Sequence, residues 1–437
     1  MKKILFFMFI FIFIVLFNLF LVPNNMDELW NYGFSLAIRM GEIPYNDFNM
    51  VVPPFYPLLM SIPLFIYKNY LSFVLFHSLL VTTSLSFAYK MYGDKTSLLF
   101  ITFMFLLNCI YPTYNTFSLF FIIILIFLEK SDFKNKDLLV GLLVSILFLT
   151  KQSTGIVLLI PWFIKYKDVD LKKRFIGFFI PLSICLLYLL INNNLYNFID
   201  QCFLGLIDFS GNYKSIDYFC VFLFILILIF SIIVTIKKKF DITNLYLIIS
   251  YSIFIPTFDS LHFKYVFFLF VLFLINNFEF KRINFKLVFI CLFISIIIIS
   301  IYKRYSSNIG VYPNNFDNFN TKYYPSNGID YINSVNECIK DDYIIFDDTA
   351  YIYRIINNQK VSYLDLTNHG NLGFNSSKKF IKELKKNKDR KIVINDNTYE
   401  RIKAYDTQLD RDVYLYIIKH YKEVDKCMNF SIYEFDK

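Results

Sequence analysis

Long apolar runs separated by short polar breaks dominate the first two thirds of the chain. The runs fall at residues 4–22, 70–90, 97–112, 116–128, 138–150, 153–164, 175–191, 218–236, 243–257, 263–277 and 285–302. A helix needs roughly 20 apolar residues to cross the hydrocarbon core of a bilayer. The pattern therefore predicts an all-α polytopic membrane domain of about eleven spans over residues 1–302. The two runs flanking Thr150-Lys151-Gln152 are short for that task. Residues 53–67 are apolar too, but their prolines suit a helix at the membrane interface better than a span.

Residues 303–437 have a different texture. DYIIFDD (342–348) and KIVIND (391–396) read as buried strands that end in Asp. KKFIKELKKN (378–387) places Phe380, Ile381 and Leu384 at helical spacing, and DVYLYIIKHY (412–421) reads as a second helix. Strands alternating with helices predict a small α/β domain with a partly parallel sheet.

Composition agrees with the pattern. Of 437 residues, 56% are hydrophobic and 18% charged, against about 25% charged in soluble proteins. The net charge of +9 is informative through its placement. Basic clusters recur at every second loop: Lys2/Lys3, Lys90/Lys95, Lys130/Lys134/Lys136, the run at 165–174, Lys237–Lys239 and Lys281/Arg282/Lys286. The positive-inside rule puts these in the cytoplasm, with the N-terminus. The first loop, 23–69, and the C-terminal domain are then expected outside. No basic stripe of the kind that binds nucleic acid is present. The cysteines form no C-x-x-C pair, and Cys338 and Cys427 are free to bond if the C-terminal domain is extracytoplasmic.

The first loop concentrates the chemistry. Pro23 ends the first run, Asn24 or Asn25 is placed to cap a helix, and Asp27 and Glu28 fill its first turn before Gly41 stops it. Leu29, Trp30, Phe34, Ala37, Ile38 and Met40 give that helix an apolar side, which predicts an amphipathic helix on the outer leaflet. First-turn carboxylates are favoured by the helix dipole alone, and for Glu28 that role and a substrate-binding one stand side by side. Asp27 has a further use, since an ionised carboxylate at a membrane surface can take a proton from a substrate hydroxyl. Asp47 returns to the same surface after a Gly-Glu-Ile-Pro-Tyr turn.

The order D-E-x-W-x-Y-G-x-x-x-A-x-x-x-x-G-x-I-P-Y-x-D-F followed by P-P-x-Y-P-L-L resembles the first outer loop of GT-C membrane glycosyltransferases. The group in question holds protein O-mannosyltransferases and the aminoarabinose transferase of lipid A. The resemblance is clearest over residues 1–165. It implies transfer of a sugar from a polyprenyl-phosphate carrier to a cell-surface glycan, lipid or protein on the outer face, usually with inversion. It implies Asp27 as the catalytic base and Asp47 as a second acid that orients acceptor or donor. Some relatives carry Lys before the Pro-Pro pair, where this chain has Val51-Val52.

A departing lipid phosphate needs cations or donors aimed at its developing charge. Lys151 is the best replacement, with Gln152 beside it, against the alternative that Lys151 merely snorkels to the surface. His262 and Lys264 sit at another outward end, and Arg39 is placed to meet a phosphate headgroup. No metal signature is present, although Asp27, Asp47 and His262 leave a divalent cation open. A flippase or transporter of lipid-linked glycans is the alternative reading, and a glycan polymerase or ligase of the same fold is another. A transporter would carry charges in mid-span and broken helices around a cavity, whereas here the charges gather at outward ends.

Overall fold

The architecture comes from a computed structural model that describes residues 2–20, 26–95, 111–164, 169–212, 216–238, 241–255, 258–279, 337–340, 342–347, 350, 354, 359–365, 367, 370–403 and 409–436. The runs expected at 97–112 (save 111–112) and 285–302, the capping Pro23–Asn25 segment, Lys239 and the Lys281/Arg282/Lys286 cluster lie outside the described residues.

Helices form where the apolar pattern places them. In chain order they are α1 (Lys2–Phe20), α2 (Met26–Arg39), α3 (Phe55–Ile66), α4 (Tyr70–Tyr92), α5 (Tyr114–Glu129), α6 (Lys136–Phe148), α7 (Gln152–Val157), α8 (Leu171–Ile191), α9 (Leu195–Ile199), α10 (Gly205–Asn212), α11 (Tyr218–Lys237), α12 (Ile242–Ser250) and α13 (Ser260–Asn277). Among the described residues, α4, α8 and α11 are long and apolar enough to cross a membrane. Two expected spans are broken. The 153–164 run is α7 followed by a 3-10 turn at Ile160–Phe163, where Pro161 has no N–H to continue an α-helix. The 243–257 run changes from α12 to a 3-10 turn at Tyr251–Phe254.

The chain divides into two compact units. One joins residues 1–21, 74–187 and 213–307; the other joins 22–73, 188–212 and 308–437. The first unit has an apolar core fed by α1, α4, α5, α6, α11, α12 and α13, with Leu119, Ile126, Val140, Leu247 and Leu269 fully buried. One polar knot interrupts it. Arg174, in the first turn of α8 and expected as part of a solvated basic loop, is fully buried. Its guanidinium pairs with Glu129 at 2.9 Å and Asp137 at 2.8 Å and donates to the Tyr246 hydroxyl at 3.0 Å. A buried arginine is tolerable only with its charge and donors met, as they are here.

In the second unit, α2 packs on α3, and Tyr32 meets Tyr70 and Phe73 edge to face at 5.3 Å each. Residues 31–37 of α2 are buried without exception, Asn31 and Ser35 included, while Asp27, Trp30 and residues 38–40 stay partly exposed. Both polar side chains bond within their own helix, Asn31 donating to the Asp27 carbonyl and Ser35 to the Asn31 carbonyl.

The C-terminal part carries β1 (Ile344–Phe346), α14 (Ser376–Lys386), β2 (Ile392–Asn395), α15 (Thr398–Lys403), α16 (Arg411–His420), β3 (Tyr421–Cys427) and β4 (Phe430–Phe435). The sheet order is β1-β2-β4-β3. β1 runs parallel to β2 with Ile344 beside Ile392, and β4 pairs antiparallel with both β2 and β3. Phe380 and Leu384 of α14 join Val413 and Ile417 of α16 over one face of that sheet. Cys338 and Cys427 are bonded to each other.

Candidate functional site

Asp27 and Glu28 occupy the first turn of α2. Asp27 is partly exposed, whereas Glu28 is fully buried. Eleven residues on, Arg39 ends the helix, its Nε donating to the Leu64 carbonyl at 3.0 Å and its guanidinium lying over the Phe65 ring. The arginine thus ties α2 to α3. Gly41, with φ +90, turns the chain out of the helix.

The turn that follows is closed by Asp47. Its carboxylate accepts from the Ile43 N–H at 2.7 Å while its own N–H donates to the Ile43 carbonyl at 3.0 Å. Asp47 therefore rigidifies the loop that carries it, and it remains exposed. Tyr45, with φ +67, buries its ring, and its hydroxyl donates to the Val52 carbonyl at 2.8 Å.

Residues 194–201 grip this turn. Asn194 donates to the Pro44 carbonyl at 2.7 Å and Asn197 to the Tyr45 carbonyl at 3.1 Å. Gln201 accepts from the Met50 N–H at 2.9 Å. Gln201 lies on a π-helical segment, Asp200–Leu204, a form that recurs at functional sites. Asp200 on the same segment accepts from the Phe374 N–H at 3.0 Å and pairs with Lys379. Asn49 donates to the Tyr363 carbonyl at 3.1 Å, so the C-terminal part reaches the same loop. Tyr45, Asn49, Asp200 and Gln201 were not singled out from the sequence. The Asn192–Asn194 run and the Asp-Gln pair in a weakly apolar segment were the available signals.

The other candidates lie in the first unit. Lys151 caps α7 with its side chain buried, and its ammonium donates to Asn115 Oδ1 at 2.7 Å above the Tyr114 ring. The snorkelling alternative is thereby overturned, because Asn115 and Tyr114 supply inside the protein the partners a surface position would have offered. Gln152 follows as the first residue of α7, also buried.

His262 sits in the first turn of α13. Asp259 caps that helix, accepting from the His262 N–H at 2.7 Å, and its two carboxylate oxygens lie 3.0 and 2.9 Å from His262 Nδ1. The aspartate fixes the ring and leaves Nε2 as the outer nitrogen. Lys264 lies two residues further, half-buried. Among the described residues, no three His, Cys, Asp or Glu side chains gather into a metal-binding group.

No protein-family model and no curated protein matches the chain. Solved structures do share its fold. The crystal structure of ArnT from Cupriavidus metallidurans bound to undecaprenyl phosphate aligns at a TM-score of 0.58 and 11% identity, covering 99% of this chain and 98% of that one. The same protein in the apo state aligns at a TM-score of 0.53 and 11% identity, over 99% and 97%.

Proposed function

We propose that the chain is an integral membrane glycosyltransferase of the GT-C type. It takes a sugar from a polyprenyl-phosphate-linked donor and passes it to a cell-surface acceptor on the outer face. The fold shared with ArnT over nearly the whole chain carries this reading, because a structure of that protein holds undecaprenyl phosphate. The ordered Asp27–Glu28 to Pro53–Pro54 motif of the first loop supports it independently.

In this mechanism Asp27 accepts the proton of the acceptor hydroxyl as its oxygen attacks the anomeric carbon. The bond from that carbon to the phosphate oxygen breaks, and the lipid phosphate leaves with the electron pair, inverting the centre. Asp47 orients the reacting sugar from a turn its own carboxylate stiffens. Lys151 offers its ammonium to the phosphate, with Gln152, His262, Lys264 and Arg39 as further donors. Asp259 keeps the His262 ring oriented for this. A divalent cation, were one used, would be held by Asp27 and Asp47 and would offset the charge of the leaving phosphate.

The Cys338–Cys427 bond supports an extracytoplasmic C-terminal part, since disulfides persist in oxidising compartments. The test is Asp27→Asn in membranes supplied with a labelled polyprenyl-phosphate sugar. Transfer should fall by a hundredfold or more while expression and insertion hold. Full activity in that variant removes Asp27 from the role. Movement of the labelled lipid across liposomes with no glycosylated product would replace the enzyme by a flippase.

A further inference from the structure

A glutamate after a glycine turn ordinarily faces water. Glu42, directly after Gly41, does not: it is 6% exposed, and both carboxyl oxygens are buried without a hydrogen-bond partner. Its main-chain N–H is occupied, donating to the Ala37 carbonyl at 3.0 Å, so the backbone holds the side chain where it is. Among the described residues other buried polar side chains also leave an atom unbonded, but Glu42 is the carboxyl that leaves both oxygens so, and such a group calls for a specific explanation.

The charged groups that act on it come from two segments. Asp47 lies on its own loop, and Lys360 and Asp365 belong to the C-terminal part. Asp365 is committed to Arg354 at 3.1 Å, and Lys360 is exposed. The two segments are joined by the bond from Asn49 to the Tyr363 carbonyl. Glu42 is therefore buried beside the junction of the 41–50 loop with residues 359–365.

We propose that Glu42 is a proton-binding site: protonated, it lets the 41–50 loop pack with the 359–365 segment, and loss of its proton to solvent loosens that packing. Burial is the main cause, outweighing the attraction of Lys360 and reinforced by Asp47 and Asp365, and it pushes the carboxyl up to about 7. The sign follows. The packed form binds the proton more tightly than the loosened one, so packing is fully favoured below the ordinary glutamate range and is lost as pH rises through about 7. Each pH unit between the two values shifts the balance tenfold, on the order of a hundredfold in all. The loop concerned carries Asp47, yet the inference does not depend on the proposed glycosyl transfer and is tested without it.

The experiment is hydrogen exchange read by mass spectrometry on the full-length protein in lipid nanodiscs, between pH 5.5 and 8.5, with intrinsic rates corrected. Wild-type protection at residues 41–50 and 359–365 should fall through neutral pH, while Glu42→Gln, which cannot ionise, stays protected throughout. The same fall in both proteins, or in neither, overturns the proposal. If Glu42→Gln does not insert, infrared titration of glutamate-carboxyl-labelled Glu28→Gln protein, which removes the other buried glutamate of the first loop, decides the matter. A protonated buried glutamate at pH 6 that is lost by pH 8 supports the site, and its absence at pH 6 overturns it.

Discussion

Gly373 lies against the carboxylate of Asp200, so closely that a Cβ at position 373 would overlap its carboxyl carbon and oxygens. The glycine also sits at φ +83, where a side chain is strained in any surroundings. One residue on, the Phe374 N–H donates to that carboxylate, and Lys379 pairs with it. Gly373→Ala is expected to lower the stability of this unit by about 2–4 kcal/mol, strain and lost contact combined. Asp200→Asn keeps an acceptor for Phe374 and gives up the ion pair, so it should cost less. Thermal unfolding of both variants in the same detergent checks the order.

Lys151 and Asn115 make a second pair whose roles separate by substitution. Removing the ammonium with Lys151→Met should reduce transfer about a hundred- to a thousandfold, the range seen when a donor to developing charge is lost. The effect should appear chiefly in the dependence on the lipid-linked donor. Asn115→Leu keeps the cation and strips its partner, so it should lower activity less and depress thermal stability more. Steady-state kinetics with varied donor, beside unfolding curves, distinguishes the two.

The bond between Cys338 and Cys427 closes a loop of 89 residues in sequence. Cys427→Ser should cost about 2–4 kcal/mol. In cells, alkylation without reductant should recover the two cysteine peptides linked. Recovery of both as free thiols would place the C-terminal part in a reducing compartment and reverse the proposed orientation.

Local signals carried most of what the sequence made legible. Asp27 and Glu28 open α2 and Gly41 closes it, because caps and turns depend on neighbouring residues. β1, β2, α14 and α16 appear within a few residues of their expected ends, each marked by an apolar run or helical spacing. β3 escaped because Lys422, Glu423, Val424, Asp425 and Lys426 are exposed on both faces, as befits an edge strand, so alternation gave no sign. The π-helical Asp200–Leu204 segment escaped for another reason. Its partners, Met50, Phe374 and Lys379, lie more than 150 positions away, and no local pattern announces such pairings. Burial of Lys151 rests likewise on Asn115, 36 positions earlier.

β4 stands in the middle of its sheet, between β2 and β3. During synthesis β1 and β2 emerge first, and until residues 430–435 follow, Ile392–Asn395 present an open row of backbone donors and acceptors. Such an edge invites pairing with other chains. The waiting time is set by the 34 residues between Asp396 and Asn429, among them α15, α16 and β3. A ribosome or translocon that pauses inside that stretch holds the sheet at its most vulnerable, so slow passage there should raise misassembly more than a pause anywhere earlier in the C-terminal part.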